Sequence, residues 1–503
     1  MADVSGKFLA VLRLVEKGKY FTINRPRQYG KTTMLFQIFD VLQHDGNYLP
    51  LSISFEGVGD LVFQDEVCFA KRFLIWLADE ARFADTELAD WIVRQSEQCD
   101  GFETLSKMIT ALVEKCGKKM VLLIDEVDKS SNNQLFLGFL GMLRNKYLVR
   151  QKSKTFHSVV LTGIHDVKSL KLKISPESER KLNSPWNIAA DFEVDMNLQP
   201  AEIQPMLAEY AQDRSVLVDA PAVAERLFYY TSGYPFLVSK LCKIFDEKML
   251  PEKTEKIWTT GDVDTAARQL IGENNTNFDE RSKNLDNNAE LYALTQTIAI
   301  EGKNYPFEPN DSVATLGLLY GIFAKRNGLA IHNRIYQEVI VNKMSFRMMR
   351  ENTQLLDRYD ARFQLPGNQL DTHGMLRKFQ ELMRTENSEK DRDFLERQGR
   401  LVFLAFLKPV LNGHGHAFKE PQTSEERRLD LIITYYQHQY LIELKLWRGR
   451  AAHQRGLDQL ADYLDRLGLE AGALLIFDHS KVKKEWKEQE IVHNGKRIFA
   501  VWA

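Results

Sequence analysis

The sequence predicts an α/β chain of several domains. A parallel sheet with helices on both faces comes first, then a middle unit of helices with a short strand, then a second α/β domain. Three stretches carry that expectation. Lys19–Thr33 (KYFTINRPRQYGKTT) reads as strand, polar loop and helix start, and Lys119–Asp128 (KMVLLIDEVD) as a buried strand ending in carboxylates. Leu429–Trp447 reads as two strands joined by a short polar turn. At 503 residues the chain is too long for one core.

Composition narrows the class. Hydrophobic content of 44% and charged content of 27% are those of a soluble globular protein rather than a disordered or membrane chain. The net charge is −2, so no global field recruits nucleic acid and any such contact must come from a local patch. Cys68, Cys99, Cys116 and Cys242 form no C-x-x-C pair, which points to a reducing cytoplasm and away from disulfides and thiolate zinc sites. No apolar run approaches the ~18 residues of a membrane helix, and the N-terminus lacks a signal-peptide core. A cytoplasmic protein without a membrane partner is expected.

Taken in order, Val4–Val15 is helical, with Phe8, Leu9, Leu12 and Val15 at helical spacing. Met1 lies close to it, so little is expected before the first domain. Tyr20–Ile23 is a strand and Thr33–Val41 a helix, with Gly30-Lys31-Thr32-Thr33 at the junction. In that context backbone N–H groups at the helix start face a phosphate. Lys31 reaches the terminal phosphates, and the Thr32 hydroxyl can hold Mg²⁺. Arg25 stands where the usual phosphate-loop pattern has glycine. Tyr48–Phe55 reads as a second strand, followed by a long helical, charged section to about Cys116.

Roughly 90 residues after the loop, four apolar residues lead into Asp125 and Glu126, the order and separation of a P-loop ATPase. Such a strand delivers one carboxylate, Asp125, to Mg²⁺ and another, Glu126, to the attacking water as base. Ser158–Ile164 (SVVLTGI) supplies a further buried strand that ends on Thr162. Arg144 reads first as a solvated or ion-paired arginine, and second as a contact to a neighbouring subunit's nucleotide.

"FTINRPRQYGKTT", "SISFEGVGD", "LLIDEVDK", "VVLTGIHD" and "SPWNIAADF" together resemble the AAA-ATPase-like domain of bacterial proteins that end in a PD-(D/E)XK nuclease module. That family resembles the STAND-type branch of P-loop ATPases, and the resemblance covers nearly the whole chain. Its phosphate loop typically reads R-P-R-x-[FY]-G-K-[ST], so Arg25 becomes a family feature. The resemblance implies a P-loop NTPase sheet that takes ATP and Mg²⁺. Arg27, Gln28, Tyr29, Gly30, Lys31, Thr32, Thr33 and Asp125 would contact the nucleotide or its metal, and Thr162 would sense the γ-phosphate. Thr231–Leu237 (TSGYPFL) resembles the sensor-2 region of such ATPases and opens a helix.

From Trp258 to Phe346 a smaller unit is expected, with a polar loop at Asn274–Asn288. Its end reads helix, turn at Asn327-Gly328, short strand and helix, and looks like the winged-helix subdomain of STAND-like proteins. Few basic residues stud the candidate recognition helix, so packing against the ATPase is an equal reading. Ser345–Gln364 is a charged helical connector, and Pro366-Gly367-Asn368 marks a boundary. The expected domains are an AAA-like P-loop domain with helical lid (1–257), the winged-helix-like unit with its connector (258–365) and a nuclease domain (366–503).

In the last domain Met375–Leu411 is helical, and Leu429–Tyr435 and Tyr440–Trp447 form a hairpin around Gln437–Gln439. Period-2 geometry puts Glu443 and Lys445 on one face, where charges on so apolar a strand must be solvated, paired or metal-bound. Asp430, twelve residues, then Glu443-x-Lys445 is the spacing of a PD-(D/E)XK nuclease. Asp430, Glu443 and the Leu444 carbonyl would hold one or two Mg²⁺ ions against the scissile phosphate, while Lys445 positions water or stabilises the transition state. Glu420 fits the family's upstream acidic position and Arg428 its preceding arginine. Gln459 and Tyr463, four apart on the helix Ala451–Leu467, match the Gln-x-x-x-Tyr helix of such sites. Ala471–Phe477 is the next strand. His414 and His416, in a Gly-rich loop, lack zinc-spaced partners. The run Lys481–Lys487, with Trp486, reads equally as a phosphate contact and as a solvated basic helix.

The expected function is Mg²⁺-dependent phosphodiester cleavage under nucleotide control. DNA is preferred over RNA as partner, a homo-oligomer is expected, and the family context suggests defence against foreign DNA. The alternative is a nucleotide-switched signalling or scaffold protein whose nuclease-like domain only binds.

Overall fold

The computed structural model describes residues 2–129, 133–163, 189–190, 192–273, 275–300, 303, 305–351, 363–385, 399, 402–407, 410–411, 415–419, 429–447, 449–477 and 486–503. They form two units. The first is Met1–Phe228, Gly233–Thr260 and Leu319–Gly321, and the second is Tyr229–Ser232, Gly261–Leu318 and Ile322–Ala503. No helix among the described residues is long and apolar enough to cross a membrane.

The first unit opens with α1 (Ser5–Glu16), β1 (Tyr20–Asn24), α2 (Lys31–His44) and β2 (Tyr48–Ser54). Next come α3 (Glu66–Ala81), α4 (Thr86–Ser96), α5 (Phe102–Cys116), β3 (Lys119–Asp125), α6 (Asn133–Leu148) and β4 (Ser158–Gly163). It continues with α7 (Pro200–Arg214), β5 (Leu217–Val218), α8 (Ala220–Thr231), α9 (Pro235–Ile244) and β6 (Ile257–Trp258). The main sheet has the order β1-β4-β3-β2, every pair parallel. Beyond β1, Ala190 makes a parallel bridge to Phe21. Continuous apolar runs suit these strands because helices cover both faces. β3 is buried from Met120 to Asp125 and β4 throughout. Asp65 and Asp85 start α3 and α4 by accepting the N–H of Cys68 and Leu88. The side-chain core against β2 and β3 is aromatic, with Phe69 and Phe73 packed edge-on against Phe139 at 5.2 and 4.9 Å.

The second unit begins with α10 (Thr260–Gly272), α11 (Thr276–Asp286), α12 (Ala289–Ala299) and α13 (Ser312–Leu319). A hairpin of β7 (Phe323–Arg326) and β8 (Gly328–Ile331) leads into α14 (Arg334–Glu351). After β9 (Gln364–Leu365), β10 (Gln369–Leu370) and α15 (Thr372–Thr385) comes the large sheet. Its strands are β11 (Gly415–Lys419), β12 (Leu429–Tyr435), β13 (His438–Leu446), β14 (Ala471–Phe477), β15 (Glu488–His493) and β16 (Lys496–Trp502), with α16 (Arg450–Arg466) linking β13 to β14. The order is β11-β12-β13-β14-β16-β15. β11, β12 and β13 form an antiparallel meander, whereas β14 runs parallel to both β13 and β16.

Several expectations change. The polar loop placed at Asn274–Asn288 is largely α11. Asn275 caps it by accepting the Phe278 N–H, and Phe278, Arg281 and Leu285 bury one face. Its mean polarity hides a stripe of three residues. The middle unit has a strand before Asn327 as well as after it, so that turn closes a hairpin. His416 lies on β11 rather than in a loop. The turn of the β12–β13 hairpin is Tyr436-Gln437, with Tyr436 at φ 51. The helix expected over Met375–Leu411 is described as α15 and residues 402–407. Most of 386–401 lies outside the described residues, as do His414 and residues 481–485 of the basic run.

Lys146 on α6 is a buried cation held by neutral oxygens. It is 3% exposed, and its Nζ donates to Ser106 O (2.7 Å) and Thr110 Oγ1 (2.6 Å) on α5. Burial pushes its pKa down to about 8. The unfolded chain therefore binds more protons between pH 8 and the ordinary lysine range, so this residue's contribution makes stability rise with pH there. Lys146→Met removes a charge-burial cost of about 3 kcal/mol at neutral pH and loses two hydrogen bonds of about 1 kcal/mol each. The variant is expected to gain stability in urea denaturation at pH 7 and to lose that gain by about pH 10.

Candidate functional site

The first constellation lies where β1, β3 and β4 end. Gly30 sits at φ 80 and ψ 16 as the N-cap of α2, a left-handed conformation that glycine adopts without cost. Lys31 follows as the first helical residue and is 5% exposed. Its ammonium donates to Arg25 O and Pro26 O, each at 3.0 Å, so the loop's own carbonyls hold it. Burial lowers its pKa, while Glu126, Asp128 and Asp125 oppose that shift.

Asp125 joins three elements. Its Oδ2 accepts the Thr32 hydroxyl at 2.7 Å. Its Oδ1 accepts the Thr162 hydroxyl of β4 and the Glu126 N–H at 2.9 Å. Thr32, Asp125 and Thr162 are thus brought together as the sequence anticipates, with Lys31 beside them. Glu126 takes φ 53, unusual for a side chain with a Cβ. Burial and then the Asp128 charge raise its pKa, and its Oε2 is buried without a hydrogen-bond partner among the described residues. An orphaned carboxylate oxygen beside a lysine and two threonine hydroxyls fits a site built for a polar ligand with a cation. Thr33, Arg27 and Gln28 are exposed at the loop surface. Arg144 on α6 is half-buried, and its Nε has no hydrogen-bond partner among the described residues.

No local motif signals how this loop is braced. The Arg25 guanidinium donates to Asn24 O and Val194 O, both at 2.8 Å, and lies 5.1 Å over the Phe192 ring. Tyr29 hydrogen-bonds Asn197 Oδ1 and meets Tyr234 edge-on at 4.5 Å. The Tyr234 hydroxyl in turn donates to Arg27 O at 2.6 Å. Gly233, before it, has φ 74, and a Cβ there would collide with Leu198 O. The TSGYP stretch is therefore a glycine turn pressed onto the chain at Leu198, with α9 starting at Pro235.

The second constellation is on β13. Register pairs Asp430 with Glu443 across the hairpin. Glu443 is 2% exposed, and the Lys445 Nζ stands 3.6 Å from its Oε1. Their face of the sheet is the one covered by α16, through Leu457, Leu460 and Leu464. A Cβ on Gly456 would collide with the Lys445 Nζ and lie 2.9 Å from its Cε. Gln459 and Tyr463 follow on α16, both partly buried. Glu420, Arg428 and the Asp430 side chain lie outside the described residues. Among the described residues, no three His, Cys, Asp or Glu side chains converge as a metal site.

The model of a family described as AAA-like domain matches residues 8–311. An uncharacterized WD repeat-containing protein of Synechocystis sp. is 24% identical over 360 residues, 67% of this chain. The chain spans 28% of the length of that curated relative. Among solved structures, the Thermotoga maritima RuvB Holliday junction branch migration motor is 15% identical with a TM-score of 0.33, covering 65% of this chain and 91% of that one. The Aeropyrum pernix ORC2 protein is 12% identical with a TM-score of 0.37, over 68% and 94%. Domain III of the Thermotoga maritima replication initiation protein DnaA is 14% identical with a TM-score of 0.29, over 54% and 92%. All three likenesses are loose.

Glycine inside a helix ordinarily costs about 1 kcal/mol against alanine. Gly456→Ala is expected to bring no such gain in thermal melting of the otherwise unchanged chain, because the new methyl group meets Lys445. In a Lys445→Ala background the same change should raise Tm. Equal Tm shifts in the two backgrounds would contradict the contact.

Proposed function

Because the chain belongs to the AAA-like domain family, we propose that it is an ATP-hydrolysing P-loop protein whose C-terminal domain is a Mg²⁺-dependent nuclease controlled by the nucleotide. The family and the sheet carry the ATP-binding AAA-type part. The nuclease part rests above all on one observation, the buried Glu443 registered opposite Asp430 with the Lys445 ammonium 3.6 Å from its carboxylate. A carboxylate removed from water this completely needs a cation nearby, and a divalent ion shared with a facing aspartate meets that need together with the lysine. The antiparallel meander followed by a helix and a parallel strand supports the same reading.

At the first site, Gly30 to Thr33 and Lys31 would take the ATP phosphates, while Thr32 and Asp125 would hold Mg²⁺. Lys31 must leave Arg25 O and Pro26 O to reach a phosphate, so binding changes the loop that Arg25 and Tyr29 brace. The raised pKa of Glu126 suits it to accept a proton from water. Thr162, already on Asp125, stands ready to report the terminal phosphate.

At the second site, Asp430, Glu443 and the Leu444 carbonyl would hold a divalent ion, which supplies a water of lowered pKa and neutralises charge on the phosphate. Lys445 would orient the attacking water or pair with the developing negative charge, and Gly456 leaves room for it. Glu420 and Gln459 would complete the site. DNA is the substrate we favour over RNA, with assembly into a homo-oligomer and a role in defence against foreign DNA.

Plasmid and linear DNA incubated with the full chain, Mg²⁺ and ATP should be cleaved. Asp430→Ala and Lys445→Ala should each lower the rate about 100-fold or more. Undiminished cleavage in those variants, or none in the unchanged protein, would sink the nuclease reading. For the switch, Lys31→Ala should abolish the rise in Tm that ATP gives the unchanged protein, about 2.7 kcal/mol of stabilisation at a hundredfold excess over Kd. It should also alter the ATP dependence of cleavage.

A further inference from the structure

A cluster of rings and cations continues the β13 face beyond Lys445. Trp447 is two residues further on, about 6.6 Å along an extended chain. Its N–H donates to Phe477 O at 2.9 Å, so the ladder still holds it and it shares the face of Glu443 and Lys445. The first turn of α16 adds His453, whose imidazole lies 5.6 Å from the Trp447 ring and 5.5 Å from the Trp502 ring. Lys487, ahead of β15, is exposed and places its ammonium 4.5 Å from the Trp502 ring centre and 5.9 Å from that of Trp447. The Lys487 carbonyl is fixed by the Trp502 N–H (3.0 Å) and by Gln380 Nε2 (3.0 Å), so the backbone under this lysine is pinned.

Positive charge gathers at this end of the face. Burial lowers the His453 pKa, and the Lys445 and Lys487 charges lower it further. Two ammonium groups therefore stand within electrostatic reach of one imidazole, in a chain whose overall charge is −2. Glu443 stands 3.6 Å from Lys445, and Lys487 over the indoles is solvent-exposed. A lysine resting on two rings keeps its stem ordered and its charge presented, which lowers the entropy lost on gripping an anion.

We propose that Lys487, held on the Trp447–Trp502 platform beside His453, is a subsite for a backbone phosphate of the nucleic-acid strand that enters the Glu443–Lys445 site. The inference rests on the nuclease reading above. It assigns the subsite to the sugar–phosphate chain rather than to base edges, so the contact is independent of sequence. It also gives the basic run around Trp486 a defined part, through its last lysine alone.

Two variants separate charge from packing. Lys487→Met keeps an unbranched apolar stem over the rings, and Lys487→Arg keeps the charge. Full-length protein without divalent metal is titrated against a labelled DNA duplex of mixed sequence, read by fluorescence anisotropy from about 50 to 200 mM salt. Lys487→Met should flatten the slope of log Kobs against log salt by about one and weaken low-salt binding severalfold for any sequence. Lys487→Arg should keep the slope, and an unchanged tryptophan emission spectrum in both variants should show the platform intact. If the unchanged protein binds and cleaves DNA while Lys487→Met has the same slope, the subsite is overturned and the nuclease reading stands. If the unchanged protein neither binds nor cleaves DNA, the nuclease reading fails first and the subsite with it.

Discussion

The first unit depends on how one carboxylate is satisfied. Asp125 is 8% exposed at the end of β3, where an unpaired negative charge would be costly. Two hydroxyls and a backbone N–H offset that cost, from α2, β4 and the residue that follows it. These groups come together because of strand order. β4 lies between β1 and β3, so the helix that leaves β1 must reach across β4 to touch β3. Asp125 thereby measures the position of α2 relative to two strands at once. Anything that draws Thr32 away must leave Oδ2 with another partner.

The same constraint governs the loop in front of α2. A phosphate loop needs its backbone N–H groups pointing inward, which leaves little side-chain packing to hold it in place. Arg25, Tyr29 and the Arg27 carbonyl provide three anchors on its outer side. Each runs to a part of the same unit distant in sequence, Val194, Asn197 or Tyr234. The loop is held from behind while Lys31 remains able to exchange partners.

These anchors mark where sequence reading stops. Strands β1 to β4 are legible because each is a short apolar run with turn residues beside it, and the parallel order follows from helices between them. Gly30-Lys31-Thr32 and Asp125-Glu126 are legible because their spacing reflects chemistry. In the β12–β13 hairpin the shared face of Glu443 and Lys445 is legible from alternation, whereas the register is not, since the two-residue turn Tyr436-Gln437 sets it and the sequence suggests Gln437–Gln439. By contrast, Arg25 looks like a departure from a pattern, since its partners lie far along the chain. α11 escapes because Phe278, Arg281 and Leu285 are a thin stripe in a polar stretch. Nothing local to Gly456 shows that a lysine on another element occupies the space its side chain would fill. Strand β15 escapes for a simpler reason, since Glu488–His493 is mostly exposed and mixes charge with apolar residues, and its partner β16 escapes with it.

The path of β16 has an effect on how the second unit can be assembled. Residues 496–502 supply the strand between β14 and β15, after every other strand of that sheet in chain order. Until they arrive, β14 presents an open edge of N–H and C=O groups, and the apolar side chains of Leu474 and Ile476 lack Ala500 and Trp502 beside them. Chains emerge at about 5–20 residues per second, so this edge is bare for seconds during synthesis. The hairpin and α16 can form early, but the surface beside Lys445 that includes Trp502 closes later. The unit therefore acquires the rim of its charged face, and with it the docking edge for β15, only after β11 to β14 have been made.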